Sequence, residues 1–432
     1  MTDSRSAIIA AFQAALDAVQ PDAAVQHVIR VSASGELEVS GRSLGPASHV
    51  ETIGIGKAAV AMMAGAVNAL GDFLTRGYVI TKDGHIDREL PARIEVHEAA
   101  HPVLDERSVS ATHRLLEWVV EIPRDAIVLC LISGGGSALL EEPVEGVSLA
   151  DFQKLTRLLL RAGADIYQLN AVRSQVSRVK GGGLREAIPC DRVVSLLLSD
   201  VLGNDPTVIA SGPTIPAKAS RREARDVLTN LQLQQKMPPS INRILAAESL
   251  KRSNAHPSDI VEVIADNAKA LDAAGQHLIK ASYRVEQDGT PRTGEARDVA
   301  REWVMRLRDV PQDIDVVIAG GELTVTVTGN GTGGRNTEFA LAAALELERL
   351  GVTSWTVASL ATDGQDGPTD VAGAIVDHTH ASRMRAMHID PIAALRDNDS
   401  CPPLEQTGAV VTTGPTGTNV NDLYFAVRNR PT

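Results

Sequence analysis

The chain has 432 residues, a formal net charge of -12 and a sequence pI of about 5.4. That length suits two domains, and 44% apolar residues with only 3% aromatics leave their cores to Val, Leu, Ile and Ala. The acidic balance argues against a general binder of nucleic acid or anionic membrane, and leaves room for a local basic pocket for an acidic metabolite. Cys130, Cys190 and Cys401 form no C-x-x-C, which fits a reducing cytosol and provides no metal framework. No apolar run reaches the roughly 18 residues of a membrane helix. Ile8, Phe12, Leu16 and Val19 are spaced as on a helix and lack the apolar core of a signal peptide, so a cytoplasmic protein is expected.

The first half alternates strands and helices. Ser48–Ile55 is predicted as a strand that turns through Gly54-Ile55-Gly56-Lys57-Ala58-Ala59 into a helix over Ala58–Leu70. Gly77–Thr81 and Arg93–Val96 are further strands, the latter leading to His101-Pro102. Glu106–Val120 is a helix. Ala126–Ile132 is wholly apolar, as in a doubly covered parallel strand. This rhythm predicts an open α/β sheet with ligands at the carboxyl ends of its strands. Gly54-x-Gly56-x-x-Ala59 matches a relaxed dinucleotide turn, but the acidic residue such a turn expects about 20 positions on is replaced by Thr81-Lys82, with Asp83 late. Ser133-Gly134-Gly135-Gly136-Ser137 follows the apolar strand directly, and three glycines there favour close backbone contact with a ligand. No Walker A loop and no G-x-S-x-G elbow occurs.

Further on, Asn170–Gly183 reads as a basic helix carrying Arg173, Arg178 and Lys180 and ending in glycines. A structural role for Lys180 and a ligand role both stay open. Arg192–Leu198 is an apolar strand that delivers Asp200 to its carboxyl end, as a base, a metal ligand or a helix cap. Arg221–Leu233 is an amphipathic helix. Turn signals between Gln234 and Pro257 place a domain boundary near residue 250, and the strand Ile260–Ile264 and helix Asn267–Ala281 open the second half.

That half centres on residues 315–345. Val316–Ala319 is a buried strand, Gly320-Gly321 a turn into Glu322, and Leu323–Thr328 a half-buried strand by its alternation. Gly329, Gly331, Gly333 and Gly334 form a loop before a helix. Its N–H groups read either as an anion cradle with Arg335 at the mouth, or as a plain turn whose arginine makes a structural ion pair. Arg335 and Lys57 sit on Gly-flanked turns, so neither is expected to support a core. Trp355–Leu360 is a strand followed by carboxylates at Asp363, Asp366 and Asp370, which suit Mg²⁺ shared with phosphate or an Asx-turn loop. A polar loop from Thr412 to Asp422 precedes a last strand, Leu423–Val427.

Six segments in order carry a resemblance: SGGGSAL at Ser133, NAVRSQVSRVKGGGL at Asn170, LSDVLGNDPTVIASGPT at Leu198, GGRNTEFAL at Gly333, TDGQDG at Thr362 and GPTGTNVNDL at Gly414. Together they resemble the glycerate 2-kinases, the two-domain class whose C-terminal part is called MOFRL and some of whose members are labelled hydroxypyruvate reductases. The resemblance implies an α/β protein with a Rossmann-like N-terminal domain over residues 1–250 and a smaller C-terminal α/β domain over residues 251–432. It places the active site in the cleft between them. It also implies ATP- and Mg²⁺-dependent phosphorylation of D-glycerate at its 2-hydroxyl. Lys57 and Arg335 match positions the family places in its active site. Asn204 stands where Asp is expected, so it is no anionic metal ligand here; Leu202, Thr337 and Asp83 also depart from the common residues.

Phosphoryl transfer needs positioning and charge neutralisation more than covalent chemistry. Lys57, Arg335 and Asp200 are the expected catalytic residues. Gly56, Ser133, Gly134, Gly135, Gly136, Ser137, Arg173, Lys180, Asn336, Thr416 and Asn419 are expected to bind substrate or nucleotide, and Glu322, Asp363 and Asp366 to hold Mg²⁺. Which of the four carboxylates accepts the hydroxyl proton stays open. The expected partners are ATP and a small substrate, without nucleic acid or membrane, and a homodimer stays open. Two alternatives are an NAD(P)H-dependent hydroxypyruvate reductase and a non-catalytic metabolite-binding regulator.

Overall fold

The computed structural model describes residues 3–247 and 256–429; the expected boundary near residue 250 lies outside them. The chain forms two compact units, one of Pro21–Ile264 and one of Met1–Gln20 with Ala265–Thr432.

Beside a small three-stranded sheet over residues 29–46, the first unit is built on a six-stranded one: β1 (Val50–Ile55), β2 (Leu74–Lys82), β3 (Ile94–Ala99), β4 (Ile127–Ile132), β5 (Arg192–Leu198) and β6 (Ile260–Ala265). Their order across the sheet is β3-β2-β1-β4-β5-β6. The β3-β2, β2-β1, β1-β4 and β4-β5 pairings are all parallel. β1 and β4 are buried at every residue, which is why their sequences, VETIGI and IVLCLI, carry so little polarity. The reversal of strand order at β1 and β4 brings the turns after both strands to one end of the sheet, where doubly wound folds bind ligands. The Glu106–Val120 helix starts at a capping box on Asp105, whose carboxylate accepts from the N–H groups of Arg107 and Ser108. A satellite helical core gathers Phe152, Leu155, Leu159, Leu228 and Ile241.

In the second unit the strands are β7 (Val285–Arg292), β8 (Val316–Gly321), β9 (Trp355–Ala361), β10 (Gly373–Val376), β11 (Val410–Val411) and β12 (Asp422–Arg428), ordered β7-β8-β12-β9-β10-β11. Only β7-β8 is parallel. Because β12 runs against β8 and β9, its first residue, Asp422, stands in register with Gly321 and with Ala361, the last residues of those strands. The Arg335–Leu350 helix and the Ala296–Leu307 helix pack over this sheet around Trp303, Phe339, Trp355 and Tyr424. The N-terminal helix Ser4–Ala18 belongs to this unit: it buries Ile8, Phe12 and Leu16 and packs beside the Asn267–Lys280 helix.

Two expected elements differ. Leu323–Thr328 is not a strand beyond one isolated bridge between Thr324 and Glu295. Its alternation is real, but two of its N–H groups go to side chains, Thr326 to Glu295 at 3.0 Å and Thr328 to Asn398 at 2.9 Å, while Thr324 donates to the Gly294 carbonyl at 2.8 Å. The basic helix expected over Asn170–Gly183 ends at Arg173, and a new helix starts at Gly183. Among the described residues no helix is long and apolar enough to cross a membrane.

Candidate active site

In the first unit, the turns after β1 and β4 are bonded to each other. Lys57 N–H donates to the Gly134 carbonyl at 2.9 Å, and Ala58 N–H to Ser133 Oγ at 3.1 Å. Gly56 N–H goes to Ile80 and Ala59 N–H to Gly56. The Gly56–Ala59 turn therefore has no spare amide, and Gly56 is required because a methyl there would overlap the Ser133 side chain. The Gly134–Ser137 loop is the opposite case. Among the described residues no acceptor takes the N–H groups of Gly134, Gly135, Gly136 or Ser137. A methyl on Gly134 would overlap the Asp200 carboxylate, and one on Gly135 would come within 3.0 Å of Lys57 Cγ and 3.2 Å of His101 Cδ2. The glycines thus let Asp200, Lys57 and His101 close on bare backbone.

Arg173 and Lys180 reach the same loop from behind. Lys180 Nζ donates to the carbonyls of Ser137 at 2.8 Å and Leu140 at 3.0 Å, and pairs with Glu141 at 3.1 Å, with both charged side chains sealed from solvent. Burial pushes the Lys180 ammonium down to about 8 against the pull of Glu141. Arg173 also donates to the Ser137 carbonyl, at 2.8 Å, with its guanidinium 5.6 Å from the centre of the Phe152 ring. Both cations are spent on backbone carbonyls near a helix end, the role that basic residues take there without any ligand. Ser137 Oγ bonds to Ser211 Oγ at 2.7 Å, and Ser211 Oγ donates to Asn170 at 2.9 Å.

In the second unit, Arg335 is a structural ion pair as well as a candidate catalytic group. Its Nε and Nη2 donate to the two oxygens of Asp422 at 2.5 and 3.1 Å, and its Nη1 to Glu322 at 3.0 Å. Asp422 is fully buried, while the Arg335 side chain is 30% and that of Glu322 44% exposed. The expectation that Arg335 supports no core is corrected: two-thirds of its fork balances a carboxylate inside the unit. Asn336 is likewise internal. It donates to Asp366 and Asp422 and accepts from Ser359 Oγ at 2.5 Å.

The anion cradle expected of residues 329–334 is already filled by the chain itself. Thr328 and Gly329 donate to Asn398, Asn330 to Asp397 and Thr332 to Asp399. The helix N-terminus is capped by Asp366, which accepts from the N–H groups of Asn336 and Thr337, both at 2.8 Å, and from Thr337 Oγ1 at 2.8 Å. A methyl on Gly334 would overlap that carboxylate. Asp366, expected beside Mg²⁺, is thus buried and occupied as a cap. Asp363 is half-buried, and among the described residues its carboxylate accepts only from Gln365 N–H, at 3.0 Å. Among the described residues no three His, Cys, Asp or Glu side chains gather to hold a metal. Thr416 Oγ1 donates to the Thr362 carbonyl at 2.5 Å, and Asn419 accepts from Asn421 N–H at 3.1 Å, so both brace the loop before β12.

Asp422, Lys82, His85 and His101 are the residues that sequence reasoning passed over. An acidic residue opening an otherwise apolar strand, DLYFAV, was the available signal for Asp422. Burial pushes its carboxyl up to about 6, with Arg335 and Asn336 pulling the other way. A carboxyl raised in the folded state binds a proton that the unfolded chain has released, so this group's contribution falls as pH rises from about 4 to about 6 and is level above. Urea unfolding from pH 4 to 6.5 should show wild type losing on the order of 1 kcal/mol per pH unit relative to Asp422→Asn. Parallel curves for the two proteins would show that Asp422 is ionised throughout.

Residues 7–246 match the family described as a domain of unknown function, DUF4147, and residues 315–422 match the MOFRL family. A D-glycerate 2-kinase of Thermotoga maritima is 40% identical over 88% of this chain and 90% of its own. A protein of Agrobacterium vitis that carries the name hydroxypyruvate reductase is 38% identical over 86% of this chain and 97% of its own. The crystal structure of a glycerate kinase from Thermotoga maritima superposes with a TM-score of 0.86 at 37% identity, covering 98% of each chain.

Proposed function

The chain belongs to the glycerate kinase family, and on that premise we propose that it transfers a phosphoryl group from ATP to the 2-hydroxyl of D-glycerate. The observation that carries the reading is the loop Gly134–Ser137, whose four unspent amides lie beside the half-buried Lys57. Backbone donors and a fixed cation are what a transferring phosphoryl group needs, because its charge spreads over oxygens in the transition state. Lys180 and Arg173 hold the loop's carbonyls away from that face. Asp200, against Gly134, is the carboxylate we assign to accept the hydroxyl proton.

The donor set of the second unit fits Mg²⁺, which takes one or two carboxylates together with phosphate oxygens and water rather than a closed protein cage. Asp363 and Glu322 would hold it, since Asp366 is committed to its helix. When bound, the ion shares the negative charge of the phosphates. Arg335 contributes the Nη1 edge that Glu322 meets, and Asp422 fixes the plane of the fork.

The reductase reading is favoured by the names of two relatives and by the turn after β1. That turn has spent all four of its amides, and Asp83, the late acidic residue, is gripped by both Nη atoms of Arg107 at 2.6 and 2.7 Å. Neither pyrophosphate nor ribose has its usual partner there. Purified protein with ATP, Mg²⁺ and D-glycerate should feed enolase directly and yield phosphoenolpyruvate. A need for phosphoglycerate mutase would place the phosphate on the 3-hydroxyl instead, and NAD(P)H oxidation with hydroxypyruvate in place of ATP turnover would make the protein a reductase.

A further inference from the structure

Three basic side chains of the first unit converge, and no ion pair among the described residues involves any of them. Lys57 comes from the turn after β1, Lys82 from the last position of β2, and His101 from the segment after β3. Register places Lys82 opposite Ala99, two residues before His101. Lys57 and His101 cover the same glycine, Gly135. All three are half-buried, and among the described residues none has a hydrogen-bond or ion-pair partner for its side chain. His85 joins the group from the turn after β2, with Nδ1 3.0 Å from the Lys57 carbonyl.

The carboxylates nearby in sequence are committed elsewhere. Asp83 and Asp105 are both held by Arg107, Asp87 by Arg88, and Glu98 accepts from Gly84 N–H at 2.8 Å. Asp200 lies against the other glycine, Gly134. In a chain of net charge -12, a knot of unpaired cations is costly unless an anion enters it. We infer that Lys57, Lys82 and His101, with the amides of the Gly134–Ser137 loop, form a subsite for a phosphate group. This deepens the kinase reading and rests on it for the source of the phosphate.

A phosphate fits better than a carboxylate. It brings close to two charges at neutral pH and three acceptor oxygens to a site with two fixed cations and several N–H donors. The third cation is conditional. Burial first, then Lys57, Lys82 and His85, push the His101 imidazole down to about 4, so it is neutral near pH 7 in the free chain. An incoming phosphate, close to doubly charged near pH 7 and singly charged near pH 5, opposes the two lysines and draws a proton back to the ring. The same chemistry would receive either the polyphosphate of a nucleotide or the phosphate of the phosphorylated product.

The test is a pH titration of histidine ¹⁵N resonances in the full-length protein, with His101→Gln to assign the signal. In the free chain His101 should titrate near pH 4. Saturating inorganic phosphate should raise that midpoint by about one pH unit or more, the effect of an opposite charge close by. ADP and 2-phosphoglycerate are then compared: whichever moves His101 at the lower concentration is the source. Calorimetry on Lys82→Ala should show phosphate affinity about tenfold weaker, as for loss of one charge-assisted contact. If His101 is unmoved by all three anions while the protein phosphorylates glycerate, the subsite is wrong and the kinase reading stands. If His101 moves and no glycerate is phosphorylated, the subsite stands and the kinase reading is wrong.

Discussion

Arg335→Ala is expected to lose turnover by on the order of 10³-fold or more, as when an arginine is taken from a developing phosphoryl charge, and to lose stability at the same time. The second half of that expectation comes from Asp422. The arginine donates twice to a carboxylate with no solvent access, and among the described residues Asn336 and the Tyr424 hydroxyl at 3.4 Å are the side-chain donors that remain once it is gone. Breaking a buried pair by removing one partner typically costs about 3–5 kcal/mol, because the other charge stays inside. Asp422 has an escape. Its carboxyl already sits high through burial, and without Arg335 it rises further and takes up a proton. The stability deficit of the variant should therefore be large at pH 8 and shrink towards pH 5, in the direction linkage requires for a raised carboxyl. Urea midpoints at the two pH values measure this. Arg335→Lys keeps the charge but not the planar fork, so it should recover part of the stability at pH 8 and little of the turnover. Equal midpoints for wild type and Arg335→Ala at pH 8 would mean that Asp422 is not balanced by Arg335.

How far the sequence leads is clear from these same residues. The strands that carry the site are legible because burial on both faces leaves a plain apolar run: the sequence predicts Arg192–Leu198 and the Glu106–Val120 helix with the bounds they have, and β1, β2, β4, β8 and β9 to within a few residues. The glycine clusters were legible as places where something approaches the backbone. What approaches was not. At Gly134 it is Asp200, at Gly135 Lys57 and His101, and at Gly334 the Asp366 carboxylate. A glycine records that space is short and says nothing of whether a ligand or the protein's own side chain fills it. The same limit explains Arg173 and Lys180. A cation beside a glycine-rich loop suits a ligand or a carbonyl equally well in sequence, and only the burial of both side chains and the three contacts of Lys180 decide for the carbonyls. Asp422 escaped because its partner lies 87 positions away and the two meet only when β12 enters the sheet against β8 and β9.

Lys57→Ala should show the contrast to Arg335. Its backbone is the structural part: N–H to Gly134 and carbonyl to His85, both of which alanine retains. Its ammonium has no partner among the described residues and stands among Lys82, His85 and His101. Removing it takes away no ion pair among the described residues and relieves repulsion with Lys82, the other charged member of the group near pH 7, so the change in stability should stay within about 0.5 kcal/mol, as for a site with no packing role, or turn out favourable. The side chain's neighbours report the change directly. Lys57 is one of the charges that hold the His101 imidazole low, so the His101 midpoint should rise from about 4 in the variant. Turnover is the other readout. With the fixed cation gone, the amides of Gly134–Ser137 remain to meet the phosphoryl oxygens, and the loss should again be on the order of 10³-fold, carried by kcat because the charge it meets grows in the transition state. Lys57→Arg keeps the charge on a broader head that must lie over Gly135, where a single methyl would already crowd the lysine stem at 3.0 Å. It should therefore recover only part of kcat. Near-wild-type kcat in Lys57→Ala, with melting temperature unchanged, would move the catalytic cation away from the turn after β1.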